Sequence, residues 1–365
     1  MMNSSHNSKQ VIHVGFALPD PNVHDVTGYC AAEMAFEQAN NDKEFPFEIE
    51  LIPIIDNKDI QIGRKAADHF VEDPLAVAVL GPIWSPMAVV TQDIYNSAGL
   101  LQLTSEASSP LLTKKSYKNF FRLVANDELQ GRELGKVAVK YLNAKRIAVL
   151  SDNTDWGKPI AEIFLGEIEK HDRKAVLRYF FSEKEAQLNF EQLIEETLLA
   201  KPDLVYFAVY WNKAQIIAHR LRDRGLEAVF LGSDALKPYP FLEVPGLDRV
   251  SPYHSLAGVD MRIKPSARGF YKQFALKYPM LLIAPQYAAE AYDAARLIVE
   301  SIRRSGKMDR GLILKEMQNM GVYHGAVGEI EFDEKGDLMN AEISLYQCKE
   351  GLRNYLGSIK ELVGD

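Results

Sequence analysis

Six apolar residues, Leu75-Ala-Val-Ala-Val-Leu80, run straight into Gly81-Pro82-Ile83-Trp84-Ser85-Pro86. An apolar run this short, with no polar residue at alternate places, reads as a strand covered on both faces. The arrangement then repeats. Leu100-Leu-Gln-Leu103 is followed by Thr104-Ser-Glu-Ala-Ser-Ser-Pro110, and residues 87–98 between the two runs fit about three helical turns. Strand, polar loop, helix and strand again is the unit of a parallel sheet joined by right-handed crossovers. The fold is therefore expected to be α/β, with small molecules meeting loops at the carboxyl ends of its strands.

The same alternation extends along the chain. Residues 11–18 read as a first strand, 19–28 as a loop and 29–40 as a helix; 47–55 and 60–72 read as the next strand and helix. A second series follows residue 120, with helices over 127–142, 159–171 and 190–200 and strands over 146–150, 174–180, 203–209 and 228–231. Two such units suit a chain of 365 residues. Residues 253–260 are placed to cross back to the first unit, which helices over 270–278 and 288–304 would complete. Residues 328–333 and 341–347, with Lys335-Gly336 between them, read as a hairpin at the edge of the second unit. The expected division is 11–124 with 256–327, and 125–255 with 328–360, with a disordered tail over 1–10. Several crossings between two such units would make a hinge, with a ligand in the cleft.

Charge and composition exclude other classes. Lys and Arg number 42 against 50 Asp and Glu, for a net charge of -8. No basic run is interleaved with aromatic residues, so nucleic acid is not an expected partner. No stretch approaches the roughly 20 apolar residues of a membrane span. Residues 1–10 are polar and lack the apolar centre of an export signal, which suits a cytoplasmic chain or a mature exported one given a new start. Cys30, Cys348 and the 8 histidines show no metal-ligand spacing. Both thiols are expected to be buried, and no metal or cofactor is expected.

The chemistry of common enzymes is missing too. The stretch after the first strand, LPDPNVHDVTG, lacks the close-packed glycines of a dinucleotide site. No Gly-rich loop ends in Lys-Ser or Lys-Thr, and no G-x-S-x-G occurs. Ser85, His24 and Asp234 have no spacing that supports a triad. The chain reads as a binding protein and not as an enzyme.

The strand ends select two groups of candidate ligand residues. Ser85, Thr104, Ser105, Glu106 and Ser108 lie in the loops already quoted, beside a helix start. Hydroxyls and free backbone N–H groups there suit a carboxylate or another anion, although Pro86 and Pro110 have no N–H to give. The plainer alternative is that the serines cap helices. Asp152, Asp155, Trp156, Tyr210, Trp211 and Asp234 lie in the second unit. Asp234 suits an ammonium and the aromatic rings suit its cover, with cation–π attraction. The plainer alternatives are a turn residue for Asp234, core packing for the rings, and solvated or local capping roles for Asp152 and Asp155.

The order of these elements resembles the type I periplasmic binding fold. More closely, it is similar to the leucine/isoleucine/valine-binding proteins of branched-chain amino-acid ABC transporters. The resemblance is carried by GPIWSPM at 81–87, DIYNSAGLLQLTSEASSPLLT at 93–113, SDNTDWG at 151–157, DLVYFAVYW at 203–211 and FDEKGDL at 332–338. It covers nearly the whole chain, from about Val11 to Gln347. It implies two Rossmann-like parallel-sheet lobes joined by a multi-strand hinge. It also implies an extracytoplasmic solute-binding protein that closes on an amino acid or a similar small molecule and presents it to a membrane permease. The implied state is a monomer or weak homodimer, periplasmic or lipid-anchored outside the cell. An amide- or amino-acid-sensing regulator of the same fold, cytoplasmic, is the alternative, favoured by the polar amino terminus.

Residue by residue, the resemblance makes Ser85 the serine that grips the ligand carboxylate. Ala107 and Ser108 match the Ala-Thr pair of the next loop. Trp156 matches an aromatic residue that is usually Tyr, Tyr210 matches a tyrosine, and Asp234 matches the acid, often Glu, that holds the α-ammonium. His24 falls where the first loop often offers a side chain over the ligand. Several departures stand out. Trp84 occupies the place of a cysteine in members with a first-lobe disulfide, so that bridge is absent and Trp84 is expected to fill space at the cleft mouth. Trp156 lacks the tyrosine hydroxyl, and Glu106 adds negative charge beside the expected carboxylate site. Aromatic amino acids, amides, short amines and aromatic acids therefore stay open as ligands beside the branched-chain ones.

Overall fold

Successive residues of the first strand face opposite ways, and both faces are covered: Val14 and Phe16 join one apolar cluster, Ala17 another. The computed structural model describes residues 9–19, 23–154, 156–182, 190–236, 251–283, 286–349 and 352–364. It opens with β1 (Gln10–Leu18), α1 (Val23–Asn41), β2 (Phe47–Ile55), α2 (Ile60–Glu72), β3 (Ala76–Leu80), α3 (Ser85–Ser97), β4 (Leu101–Thr104), α4 (Leu111–Lys114) and β5 (Phe120–Arg122). These strands form one parallel sheet in the order β2-β1-β3-β4-β5. β3, the run that set the expectation, is buried at every position.

A second series follows. It comprises α5 (Asp127–Lys136), continued by a π-helical turn over Val137–Tyr141, then β6 (Ile147–Ser151), α6 (Gly157–Lys170), β7 (Ala175–Phe180), α7 (Glu191–Ala200), β8 (Leu204–Ala208), α8 (Trp211–Asp223), β9 (Val229–Gly232) and β10 (Tyr253–Leu256). After these come α9 (Arg268–Lys277), α10 (Ala288–Ser305), α11 (Arg310–Gln318), β11 (Tyr323–Gly325) and β12 (Gly328–Ile330). The chain ends with β13 (Ser344–Lys349), β14 (Leu352–Ser358) and α12 (Ile359–Val363). The second sheet has the order β14-β13-β10-β9-β8-β6-β7. Its strands are parallel from β10 to β7, and β13 and β14 join antiparallel. The fold class is α/β with two parallel-sheet units.

The first unit takes Met1–Val124 and Gly258–Ala341, and the second takes Ala125–Ala257 and Glu342–Asp365. In the first, α1 packs on α10. Ala31, Ala32 and Ala35 of α1 share an apolar cluster with Ala291, Ala294 and Ala295 of α10 and with Phe16. Small side chains on both helices permit that close approach. In the second unit, Leu150, Val205, Phe207 and Phe230 of the strands pack with Ile194, Ile217 and Leu221 of α7 and α8.

Some expectations fail for physical reasons. α1 starts at Val23, several residues before the expected start. Gly28, expected in the loop, is a contact point inside the helix: a Cβ there would sit 3.4 Å from the Phe16 ring and 3.5 Å from Ala291 Cβ. The chain passes back to the first unit after Ala257, within the expected stretch 253–260, but its first part, 253–256, pairs in the second sheet as β10. The expected hairpin is split. β12 pairs with β11, β13 pairs with β10 and β14, and only a single bridge, Phe332 to Leu338, joins the arms of the turn. Residues 328–341 therefore belong with the first unit, contrary to the expectation that 328–360 join the second. Gln10 is in β1 and not in a tail, and residues 1–8 lie outside the described residues. Cys30 and Cys348 are free thiols; Cys348 is buried, whereas Cys30 is only partly so.

Candidate functional site

In the first unit, β3 and β4 end side by side, and their loops are stitched together. The Thr104 hydroxyl donates to the Pro82 carbonyl (3.2 Å) and accepts the Ala107 N–H (3.1 Å). The Gln102 carboxamide donates to the Gly81 carbonyl at 3.0 Å. Thr104 is thus a clamp for the loops. Ser85 and Pro86 are in the first turn of α3 and not in the preceding loop. Ser85 does not cap that helix: Trp84 is the N-cap, and no side chain caps it. The Ser85 hydroxyl accepts the Ser109 N–H across the two loops at 3.2 Å and keeps its own O–H to donate. Ser85, Ser105, Ala107 and Ser108 are buried, and Trp84 and Glu106 are partly buried.

A residue that sequence reasoning missed holds this loop in place. Arg122 on β5 is fully buried. Its guanidinium donates to the carbonyls of Ala107 (3.3 Å) and Ser109 (2.9 Å), and its Nε donates to Asp337 at 2.8 Å. Asp337 also accepts from the Thr113 hydroxyl at 3.2 Å. The FDEKGDL segment is explained by this pair. Gly336 has φ +85°, and a Cβ there would lie 2.0 Å from the Phe120 carbonyl oxygen. Only glycine lets the turn approach β5 so closely, and its carbonyl accepts the Arg122 N–H at 2.9 Å.

Glu106 reaches inward, its Oε1 being 3.8 Å from a Cβ built on Gly28. Its charge is felt by Glu290 on α10. Burial, aided by the charges of Asp293 and Glu106, pushes the Glu290 carboxyl up to about 8. Glu290 Oε1 accepts the Val259 N–H at 2.7 Å, while Oε2 is buried with no hydrogen-bond partner among the described residues. His24 lies in the first turn of α1, and its side chain is outside the described residues.

In the second unit, the ends of β6, β8 and β9 carry the other group. Trp156 is the N-cap of α6 and is buried; Tyr210 is the N-cap of α8 and is partly buried. Their rings are in contact, with centroids 4.8 Å apart and planes 37° apart. Trp211 does not join them: it is the first residue of α8 and is exposed. Asp152 is a local organiser, accepting the Thr154 hydroxyl at 2.6 Å, and Asp155 lies outside the described residues. Asp234 opens a short 3₁₀ turn (Asp234–Leu236) after β9 and is partly buried. Capping of that turn is done by Ser233, whose hydroxyl accepts the Ala235 N–H at 3.1 Å.

Two further residues around Asp234 were missed. Gln130 Oε1 on α5 accepts the Asp234 N–H at 3.1 Å. The Tyr206 hydroxyl, inside β8, is buried with no hydrogen-bond partner among the described residues. Burial and the charges of Asp127 and Asp234 all push its ionisation up. Tyr206 stacks on Phe164 with centroids 3.8 Å apart. Chemically, the first unit offers a hydroxyl, an uncapped helix start and a clamped loop. The second offers carboxylates beside aromatic rings. Among the described residues, no group of three or more His, Cys, Asp or Glu could hold a metal ion, and no helix is long and apolar enough to cross a membrane.

Comparison with known proteins identifies the class of molecule. The chain is 25% identical over 290 residues to a Leu/Ile/Val-binding protein homolog of Brucella melitensis, covering 79% of this chain and 77% of that one. It is 25% identical over 269 residues to a leucine-, isoleucine-, valine-, threonine- and alanine-binding protein of Pseudomonas aeruginosa, covering 74% and 70%. Among solved structures, a leucine-binding protein of Thermotoga maritima matches with a TM-score of 0.83 at 21% identity, covering 95% of this chain and 98% of that one. A solute-binding protein of R. palustris in complex with benzoate matches with a TM-score of 0.81 at 16% identity, covering 96% of each. A family model described as periplasmic binding protein matches residues 28–353. The chain belongs to that family.

Proposed function

We propose that this chain is the extracytoplasmic solute-binding component of an ABC transport system and takes up an α-amino acid between its two units. The observation that carries the reading is the split of chemistry between the units. The strand-end loops of the first present the Ser85 hydroxyl, the Ala107–Ser108 segment and the uncapped start of α3, which are donors suited to a carboxylate. Those of the second present Asp234 and the Trp156–Tyr210 pair, suited to an ammonium and its cover. An α-amino acid carries both charges on groups bonded to one carbon. Closure of the units on it would remove water from the charges and strengthen both pairings, and a membrane permease would read the closed form. The names of the relatives, which specify Leu, Ile and Val, support the amino-acid class.

Titration calorimetry with the twenty L-amino acids, benzoate and acetamide tests this. At least one L-amino acid is expected to bind, and Asp234→Asn is expected to weaken it by about 2–5 kcal/mol, as for loss of one partner in a buried charge pair. Unchanged affinity of Asp234→Asn would remove the ammonium role. Binding of benzoate in place of every amino acid would overturn the ligand class.

A further inference from the structure

We infer that Gln130 is a positioning residue for the cation-binding end of the site, setting Asp234 in place through the Asp234 backbone. The inference rests on the amino-acid reading just given. Gln130 lies in α5, one turn after Asp127, and the two share a helix face. Its Oε1 accepts two hydrogen bonds from two other elements: the Asp234 N–H at 3.1 Å and the Ser255 hydroxyl of β10 at 2.6 Å. A backbone N–H can only donate, so the carboxamide must turn its oxygen toward Asp234. The NH₂ group is then forced the other way. It is buried and has no hydrogen-bond partner among the described residues.

Burying an amide donor without a partner is unfavourable, and the two hydrogen bonds accepted by the oxygen offset that cost. A carboxamide is also suited to this task because it is neutral. Lys or Arg at this place would have no acceptor for the Asp234 N–H and would cancel the carboxylate's charge. Gln130 orients the turn through its oxygen and brings no positive charge to the carboxylate. The second unmet polar group beside Asp234, the Tyr206 hydroxyl, adds no positive charge either. Gln130 further links Asp234 to Ser255, two residues before the chain leaves the second unit after Ala257.

The test compares an amino acid with the same molecule lacking its amino group. Wild type, Gln130→Met, Asp234→Asn and the double variant are titrated with L-leucine, or the tightest L-amino acid of the panel above, and with its deamino analogue. Gln130→Met is expected to weaken the amino acid roughly five- to twentyfold, the range of one lost hydrogen bond. It should leave the deamino analogue unchanged and have no further effect in the Asp234→Asn background. Equal weakening of both ligands, or no weakening of the amino acid, overturns the inference while the functional reading stands. A wild type that binds no L-amino acid overturns both. Should Gln130→Met fail to fold, Ser255→Ala removes the other donor to Oε1. The same selective loss at smaller size supports the inference, and an equal or absent loss overturns it.

Discussion

Removing the Asp337 carboxylate is expected to destabilise the first unit more than any exposed ion-pair deletion would. Arg122 is fully buried, and its ion-pair partner Asp337 is 15% exposed. In Asp337→Ala the guanidinium would keep the carbonyls of Ala107 and Ser109 and the Thr113 hydroxyl, but lose the Asp337 counter-charge and the acceptor for Nε. Breaking one side of a buried pair costs about 3–5 kcal/mol, and the slight exposure of Asp337 places this case near the lower end. With a urea slope of about 1–3 kcal/mol per molar, the unfolding midpoint should fall by about 1 M or more. Asp337→Asn keeps an acceptor and should cost less. Arg122→Met with Asp337→Leu removes both charges and should recover much of the stability, because no buried charge is left alone. That double variant still loses the grip on the Ala107 and Ser109 carbonyls, so ligand affinity should not recover with it. An Asp337→Ala protein that unfolds at the wild-type midpoint would refute the reasoning.

Two acid–base predictions follow from buried groups. Glu290 is raised to about 8 and its neighbour Asp293 to about 6, both by burial first. The folded chain therefore binds more protons than the unfolded one, and stability should fall as pH rises from near ~4 toward about 8; Glu290→Gln, which keeps an acceptor for the Val259 N–H, should flatten that slope in urea titrations at stepped pH. His254 behaves in the opposite sense. Burial and the Arg353 charge lower it to about 3, so its contribution is present above ~6.5 and is lost as pH falls toward about 3. His254→Phe should retain the stacking on Tyr346, now at 5.4 Å, and reduce the acid loss; an unchanged acid limb would contradict this.

The alternation of strands and helices was legible because strands buried on both faces, such as β3 and β8, are unbroken apolar runs. The strand-end rule then pointed to Ser85, Trp156, Tyr210 and Asp234, and the structure sets each at the start of a helix or turn. What stayed hidden depends on distance along the chain. Arg122 looks like one charge in an aromatic strand until Asp337, 215 residues later, arrives beside it. Gln130 is one more polar residue on a helix until Asp234 and Ser255, 104 and 125 residues away, converge on its oxygen. The Gly336 turn could be read as a turn, but a turn signal does not say which sheet receives its arms. Gly28 was expected in the loop because a glycine needed for close packing inside a helix and a glycine that closes a loop look alike in sequence.

The most direct measurement of the central claim is native mass spectrometry of gently purified protein, followed by denaturing release and identification of whatever small molecule was held. The account predicts one α-amino acid per chain, either retained or taken up from the panel, and absent from Asp234→Asn. Release of an aromatic acid or another molecule without an amino group would contradict it.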